Sequence, residues 1–146
     1  MSKAQNLPKF AFGASVASVV LAAFPLGLAA QERVSPELFL DFALGKTLTF
    51  ETFPGGQLVG LEEYLRRGLS VWRDRSDTCV YGQVTVEEGQ ICFLYDNDDD
   101  GEPICWITFL EGERWFVLST NGRRTEIQQI TKVTEDGLDC PENPGV

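Results

Sequence analysis

The run Asp96-Asn97-Asp98-Asp99-Asp100-Gly101 places carboxylates Asp96, Asp98 and Asp100 at alternate positions ahead of a glycine. That spacing is the first half of a D-x-D-x-D-G calcium loop, in which the acids converge on the ion and the glycine allows a sharp bend. The second half departs from the pattern, because the position that holds a bidentate glutamate in an EF-hand is Ile107. Asp, Asn and Gly are also ordinary turn residues. Two readings result: a calcium loop with Asp96, Asp98 and Asp100 as ligands, or a solvated turn, which the missing glutamate favours.

Cys79, Cys92, Cys105 and Cys140 are the other reactive set. No two form a Cys-x-x-Cys pair, so neither a zinc ribbon nor a thioredoxin-type redox centre is expected. An even number in an exported chain reads as two disulfides. If the Asp-rich run is a hairpin tip, Cys92 and Cys105 flank it symmetrically and meet across the two strands, at a separation that suits a bridge. Cys79 and Cys140 then tie the tail to the sheet. Four cysteines allow three pairings, and this is the one that the hairpin favours.

The chain has no histidine. Histidine is the usual general base near neutral pH and the commonest metal ligand. Ser-His-Asp and Cys-His hydrolases, zinc hydrolases and histidine-ligated haem or copper sites are therefore excluded. No P-loop, G-x-S-x-G or dinucleotide fingerprint occurs either. In an enzyme without histidine, carboxylates, Tyr or Lys must do the proton transfers. Glu62, Glu63 and the acids of the 96–100 run could serve a glycan or cell-wall hydrolase, provided two of them face each other across a cleft. Trp72, Trp106 and Trp115, with Tyr81, Tyr95, Phe109 and Phe116, could line a ligand cavity. A small barrel predicts instead that they fill its interior. Arg66-Arg67 and Arg123-Arg124 could clamp an anion, but the abundance of acids favours solvated or paired arginines.

The elements that position these residues begin after a leader. Lys3 and Lys9 precede an uncharged apolar run over 10–30 that ends Gly27-Leu28-Ala29-Ala30. A basic start, an apolar middle and a small-residue end predict a signal peptide over 1–30, removed after Ala29 or Ala30. A retained anchor is the alternative, since the run is just long enough to span a bilayer. Cleavage leaves a single domain over 31–146 and no stable membrane insertion. The formal net charge is −10, from 22 acidic and 12 basic residues, and loss of Lys3 and Lys9 makes it more negative. Such a surface repels nucleic acid and anionic head groups, so neither is expected as a partner.

Ser35-Pro36-Glu37 is a helix start, with a capping serine, a proline at the first helical position and an acid that complements the dipole. Leu38, Phe39, Phe42 and Ala43 supply an apolar stripe, so one short helix is expected over 36–44. Beyond Gly45 the chain reads as short strands separated by turn residues: 46–52, 69–74, 78–86, 90–95, 104–110, 114–119 and 125–133. Residues 57–65 fit a strand or a helical turn. An irregular tail covers 134–146. Several strands carry apolar residues on both faces, which an open sheet with one wet face would not need. The predicted fold is mainly β, a small antiparallel meander barrel of seven or eight strands with one N-terminal helix; a two-sheet sandwich is the alternative.

Gly45-Lys46-Thr47-Leu48-Thr49-Phe50, Cys79-x-x-Gly82, Gln90-Ile91-Cys92-Phe93-x-Tyr95, Cys105-Trp106 and Cys140-Pro141 form an ordered series over most of the mature chain. The series resembles a group of small secreted four-cysteine proteins of alphaproteobacteria whose function is not established. Gln83 stands where related chains often carry an aromatic residue. The resemblance implies a periplasmic or secreted setting in a Gram-negative cell and assigns no catalytic residue. The leading expectation is a non-catalytic domain that binds a protein or a small ligand. The carboxylate hydrolase and a calcium-stabilised envelope protein are the alternatives.

Overall fold

A computed structural model describes residues 31–97, 101–121 and 126–141. The leader, Asp98, Asp100 and the Arg123-Arg124 pair lie outside these residues.

The chain forms β1 (Glu32–Val34), α1 (Pro36–Ala43), β2 (Thr47–Thr52), β3 (Leu58–Arg66), β4 (Leu69–Asp74), β5 (Cys79–Glu87), β6 (Gln90–Tyr95), β7 (Ile104–Glu111), β8 (Arg114–Ser119) and β9 (Ile127–Thr134). From β2 to β9 each strand pairs antiparallel with the next, and β9 returns to pair with β2. The sheet is therefore a closed eight-stranded meander barrel, which leaves no barrel strand with a bare edge along its whole length. Residues 57–65, which fitted either period, are the strand β3.

The strand β1 was not expected. It pairs with β7 at Thr108, Phe109 and Leu110. The β6–β7 ladder covers only Ile104 to Trp106, so β1 takes up the edge of β7 that β6 leaves free. Arg33 reinforces it by donating from Nη2 to the Gly89 carbonyl at 3.0 Å. Gly89 lies in the β5–β6 turn, where Glu88 and Gly89 both adopt positive φ (49° and 73°). That pattern is the one a two-residue hairpin turn requires to match the strand twist.

The first turn of α1 is capped as its sequence suggests: the Leu38 N–H donates to Ser35 Oγ at 3.2 Å. At its C-terminus Lys46 Nζ donates to the Phe42 carbonyl at 2.6 Å and sits over the Phe42 ring, placing a cation where the orphan carbonyls need one. The buried face differs from the expected stripe. Pro36, Phe39, Leu40 and Ala43 are buried, whereas Leu38 is 57% exposed. Phe42 stacks on Trp115 at 4.5 Å between ring centroids, and Phe39 meets Tyr64 and Trp115 edge-on. The helix thus closes one end of the barrel.

Part of the apolar outer wall is covered too, although Phe53 and Leu65 stay 41% and 42% exposed. The C-terminal tail straps β2, β3 and β5: the Asp136 carbonyl accepts from Thr47 Oγ1, Leu138 N–H donates to Glu63 Oε2, and the Pro141 carbonyl accepts from Tyr81 Oη. Val71, whose cross-strand neighbours are Glu63 and Tyr81, is buried. Elsewhere Phe53, Phe109 and Phe116 form a second outer cluster, with centroids 5.0 and 5.5 Å apart. Two disulfides hold these layers. Cys79–Cys140 fastens the tail to β5, and Cys92–Cys105 joins directly opposed residues of β6 and β7. Among the described residues no helix is long and apolar enough to cross a membrane.

Candidate functional site

The barrel interior is not filled, contrary to the expectation for so small a barrel. It holds a cavity of about 350 Å³. Ligand pockets begin at roughly 300 Å³, so the space is large enough for an organic molecule. Trp72, Tyr95 and Trp106 line it, as does Phe93, whose ring stacks on Tyr95. The other aromatic residues of the expected set lie elsewhere: Trp115 packs under α1, Phe109 and Phe116 pack outside the wall, and Tyr81 holds the tail. Phe39 of α1 lines the closed end. The exposed residues Thr78 and Asn97, with half-buried Asp74 and Val80, line the opposite end and mark its mouth.

Two glycines inside strands shape the walls. A Cβ on Gly60 would lie 2.2 Å from Trp72 Cζ2, and one on Gly82 would lie 2.8 Å from the Tyr95 ring. Both glycines allow a large ring to lie flat against the neighbouring backbone. A glycine in the middle of a strand signals such a close approach.

Glu62, 3% exposed, lines the cavity beside those rings. Strand alternation puts Gly60, Glu62 and Tyr64 on the inner face of β3, opposite Asp74, Trp72 and Ser70 of β4. Glu62 therefore stands midway between the mouth and the helical floor. Tyr95 Oη donates to Glu62 Oε2 at 2.8 Å. Glu62 Oε1 and Ser70 Oγ are both buried without a hydrogen-bond partner of full geometry. Burial pushes the Glu62 carboxyl up to about 7, against smaller downward pulls from the Ser70 and Tyr95 hydroxyls. The Tyr64 phenol is pushed up from its ordinary value, by burial first and then by the charge of Glu62.

The other candidate acids are separated from this site. Glu63 points to the outer wall and holds the tail through Leu138. Asp74 lines the mouth, but its Oδ1 accepts from Ser76 N–H and Ser76 Oγ, at 2.8 and 2.6 Å, and these bonds keep the carboxyl below its ordinary value. Of the calcium-loop set, Asp96 follows β6 and donates its backbone N–H to the Tyr81 carbonyl at 2.9 Å. Asp98 and Asp100 lie outside the described residues. Among the described residues no group of three or more acids or cysteines is placed to hold a metal. Of the arginine pairs, Arg67 forms an ion pair with Asp41 of α1.

The arrangement can enclose a mostly apolar molecule and offer it one buried acid and a few hydroxyls. No family model, no curated protein and no solved structure matches the chain.

Proposed function

We propose that the protein is a non-catalytic binding barrel for a small, largely apolar molecule, working outside the cytoplasm as a periplasmic or secreted domain. The observation that carries this reading is the cavity of about 350 Å³ enclosed by strands and closed at one end by Phe39. A dry apolar cavity of about 150 Å³ takes up benzene, so this one suits a fused aromatic or similarly compact ring system. Its few polar groups are set among aromatic walls, the usual composition of a ligand site. Two disulfides support an oxidising compartment, because thiols remain reduced in the cytosol of most cells.

The test is titration of the folded, oxidised protein with naphthalen-1-ylmethanol, read by tryptophan emission. Trp72 and Trp106 both line the cavity, so occupancy is expected to change their emission saturably at one equivalent. Val117 also lines it, and Val117→Phe is expected to abolish the change while circular dichroism stays native. No saturable change up to millimolar probe, or undiminished binding by a folded Val117→Phe, would defeat the reading.

A further inference from the structure

We infer that the ligand is an organic cation, an aromatic or otherwise apolar body bearing a primary or secondary ammonium group that pairs with Glu62. This inference rests on the binding-barrel reading above and assigns the chemical class of its ligand.

The charges around the cavity are one-sided. Among the described residues its lining contains Glu62 and Asp74 and no lysine or arginine, and the chain has no histidine. Glu62 is 3% exposed, and a charge that deep is costly unless it is paired. The groups that act on it, Tyr95 and Ser70, are hydroxyls. They can donate hydrogen bonds to a carboxylate but cannot neutralise it. Oε1 lacks a hydrogen bond of full geometry, and no cation is among the groups that act on the carboxyl. An ammonium group entering from the mouth supplies the missing charge.

The surrounding faces suit the same guest. Trp72, Tyr64, Phe93 and Tyr95 line the cavity beside the acid, and aromatic faces attract cations, most strongly where water is excluded. A neutral apolar ligand would gain nothing from a buried acid, whereas an anionic one would be repelled. The absence of a side chain at Gly82 leaves room for the Tyr95 ring, whose hydroxyl holds the carboxyl before the ligand arrives.

Pairing requires the ionised acid, which gives the inference a pH signature. The titratable groups that line the cavity among the described residues are Glu62, Asp74, Tyr64 and Tyr95. The turn bonds keep Asp74 ionised, and Tyr64 is held above its ordinary range. Glu62, at about 7 in the empty protein, is left to titrate between pH 5 and 8. Amine affinity should therefore be flat above that value and fall by about tenfold per pH unit below it.

The experiment compares naphthalen-1-ylmethylamine with naphthalen-1-ylmethanol, which share ring and length. Calorimetry and tryptophan emission are followed from pH 5 to 8 on wild type and Glu62→Gln. The amine is expected to bind at least about tenfold more tightly at pH 7.5, corresponding to about 1.4 kcal/mol. That advantage should fade toward pH 5, with the alcohol unchanged. A folded Glu62→Gln should reduce the preference to within about twofold, since the pair contributes through the charge. Equal binding of the two probes by wild type, or an amine preference without pH dependence, overturns the inference and leaves the barrel reading intact. Failure of both probes removes the barrel reading and this inference with it. The wild-type pH series needs no variant, so a misfolded Glu62→Gln does not protect the inference.

Discussion

Tyr95 of β6 and Glu62 of β3 are joined by a 2.8 Å hydrogen bond although two strands of the wall separate their own strands. The bond crosses the lumen instead of following the sheet. It brings the cavity's one deeply buried acid under the control of a residue on the far side of the β4–β5 hairpin.

Stability should depend on Glu62 in a particular direction. The carboxyl titrates at about 7 when folded and near its ordinary 4.5 when unfolded. Between those values the folded state holds the extra proton, so the contribution is harmless below about pH 4.5 and grows more destabilising as pH rises toward 7. The full cost above that window is about 3 kcal/mol. In urea melts across pH 4.5–8, Glu62→Gln should gain on wild type progressively, up to about that amount. Parallel pH profiles for the two proteins would show that the acid is not buried in this way.

Tyr95→Phe removes the donor to Oε2 while keeping the ring that rests against Gly82. A hydrogen bond to the ionised form lowers a carboxyl pKa, so its loss should move the Glu62 midpoint upward. The variant should also lose about 1–2 kcal/mol at pH 8. Carbon-detected NMR of the glutamate carboxyls reads the midpoint directly. An unmoved midpoint would mean that the cross-lumen bond does not form in solution.

Gly60→Ala should be among the most damaging single-methyl changes in the chain. The new Cβ would lie 2.2 Å from Trp72 Cζ2 and 2.8 Å from the Arg73 carbonyl oxygen, the second of which is backbone and cannot swing aside. Overpacking of this kind costs about 1–3 kcal/mol or more. Thermal melts should show the loss, and tryptophan emission should shift because the indole must leave the wall. Native emission and stability would place Trp72 elsewhere.

The two disulfides should differ in value. Cys79–Cys140 closes a separation of 61 residues and Cys92–Cys105 one of 13. Loop-closure entropy makes the longer bridge worth about 1 kcal/mol more, of roughly 3–4 kcal/mol each. Cys79→Ala/Cys140→Ala should therefore fall further in urea midpoint than Cys92→Ala/Cys105→Ala. It should also raise amide exchange at Leu138, whose N–H is held by Glu63. The reverse order would show that the tail is not held chiefly by its bridge.

Much of the architecture was legible because local chemistry and fold agree. Ser35, Pro36 and Gly45 bound the helix, turn residues delimit most strands, and apolar residues on both faces of β6 and β7 require cover on both sides. The missed parts depended on tertiary geometry. Three residues of β1 carry no period of their own and pair only because β6 stops short along β7. Leu38 and Leu40 both fit a helical stripe, and only the docking angle buries Leu40 and exposes Leu38. Glu62 and Glu63 read as two adjacent acids. Alternation separates their faces, but a lumen that accepts an acid hides which face is inner.

The wall closes where β2 meets β9, with Thr47 opposite Thr134. This is the one barrel seam between strands far apart in sequence, and non-local pairing is the slow part of folding a β protein. A chain made from its N-terminus can form every earlier hairpin but no enclosed chamber until residues 127–134 have emerged. A product truncated before Ile127 would leave both β2 and β8 with bare edges, templates for pairing with other chains. The interior thus exists only once residues 127–134 are in place between β2 and β8.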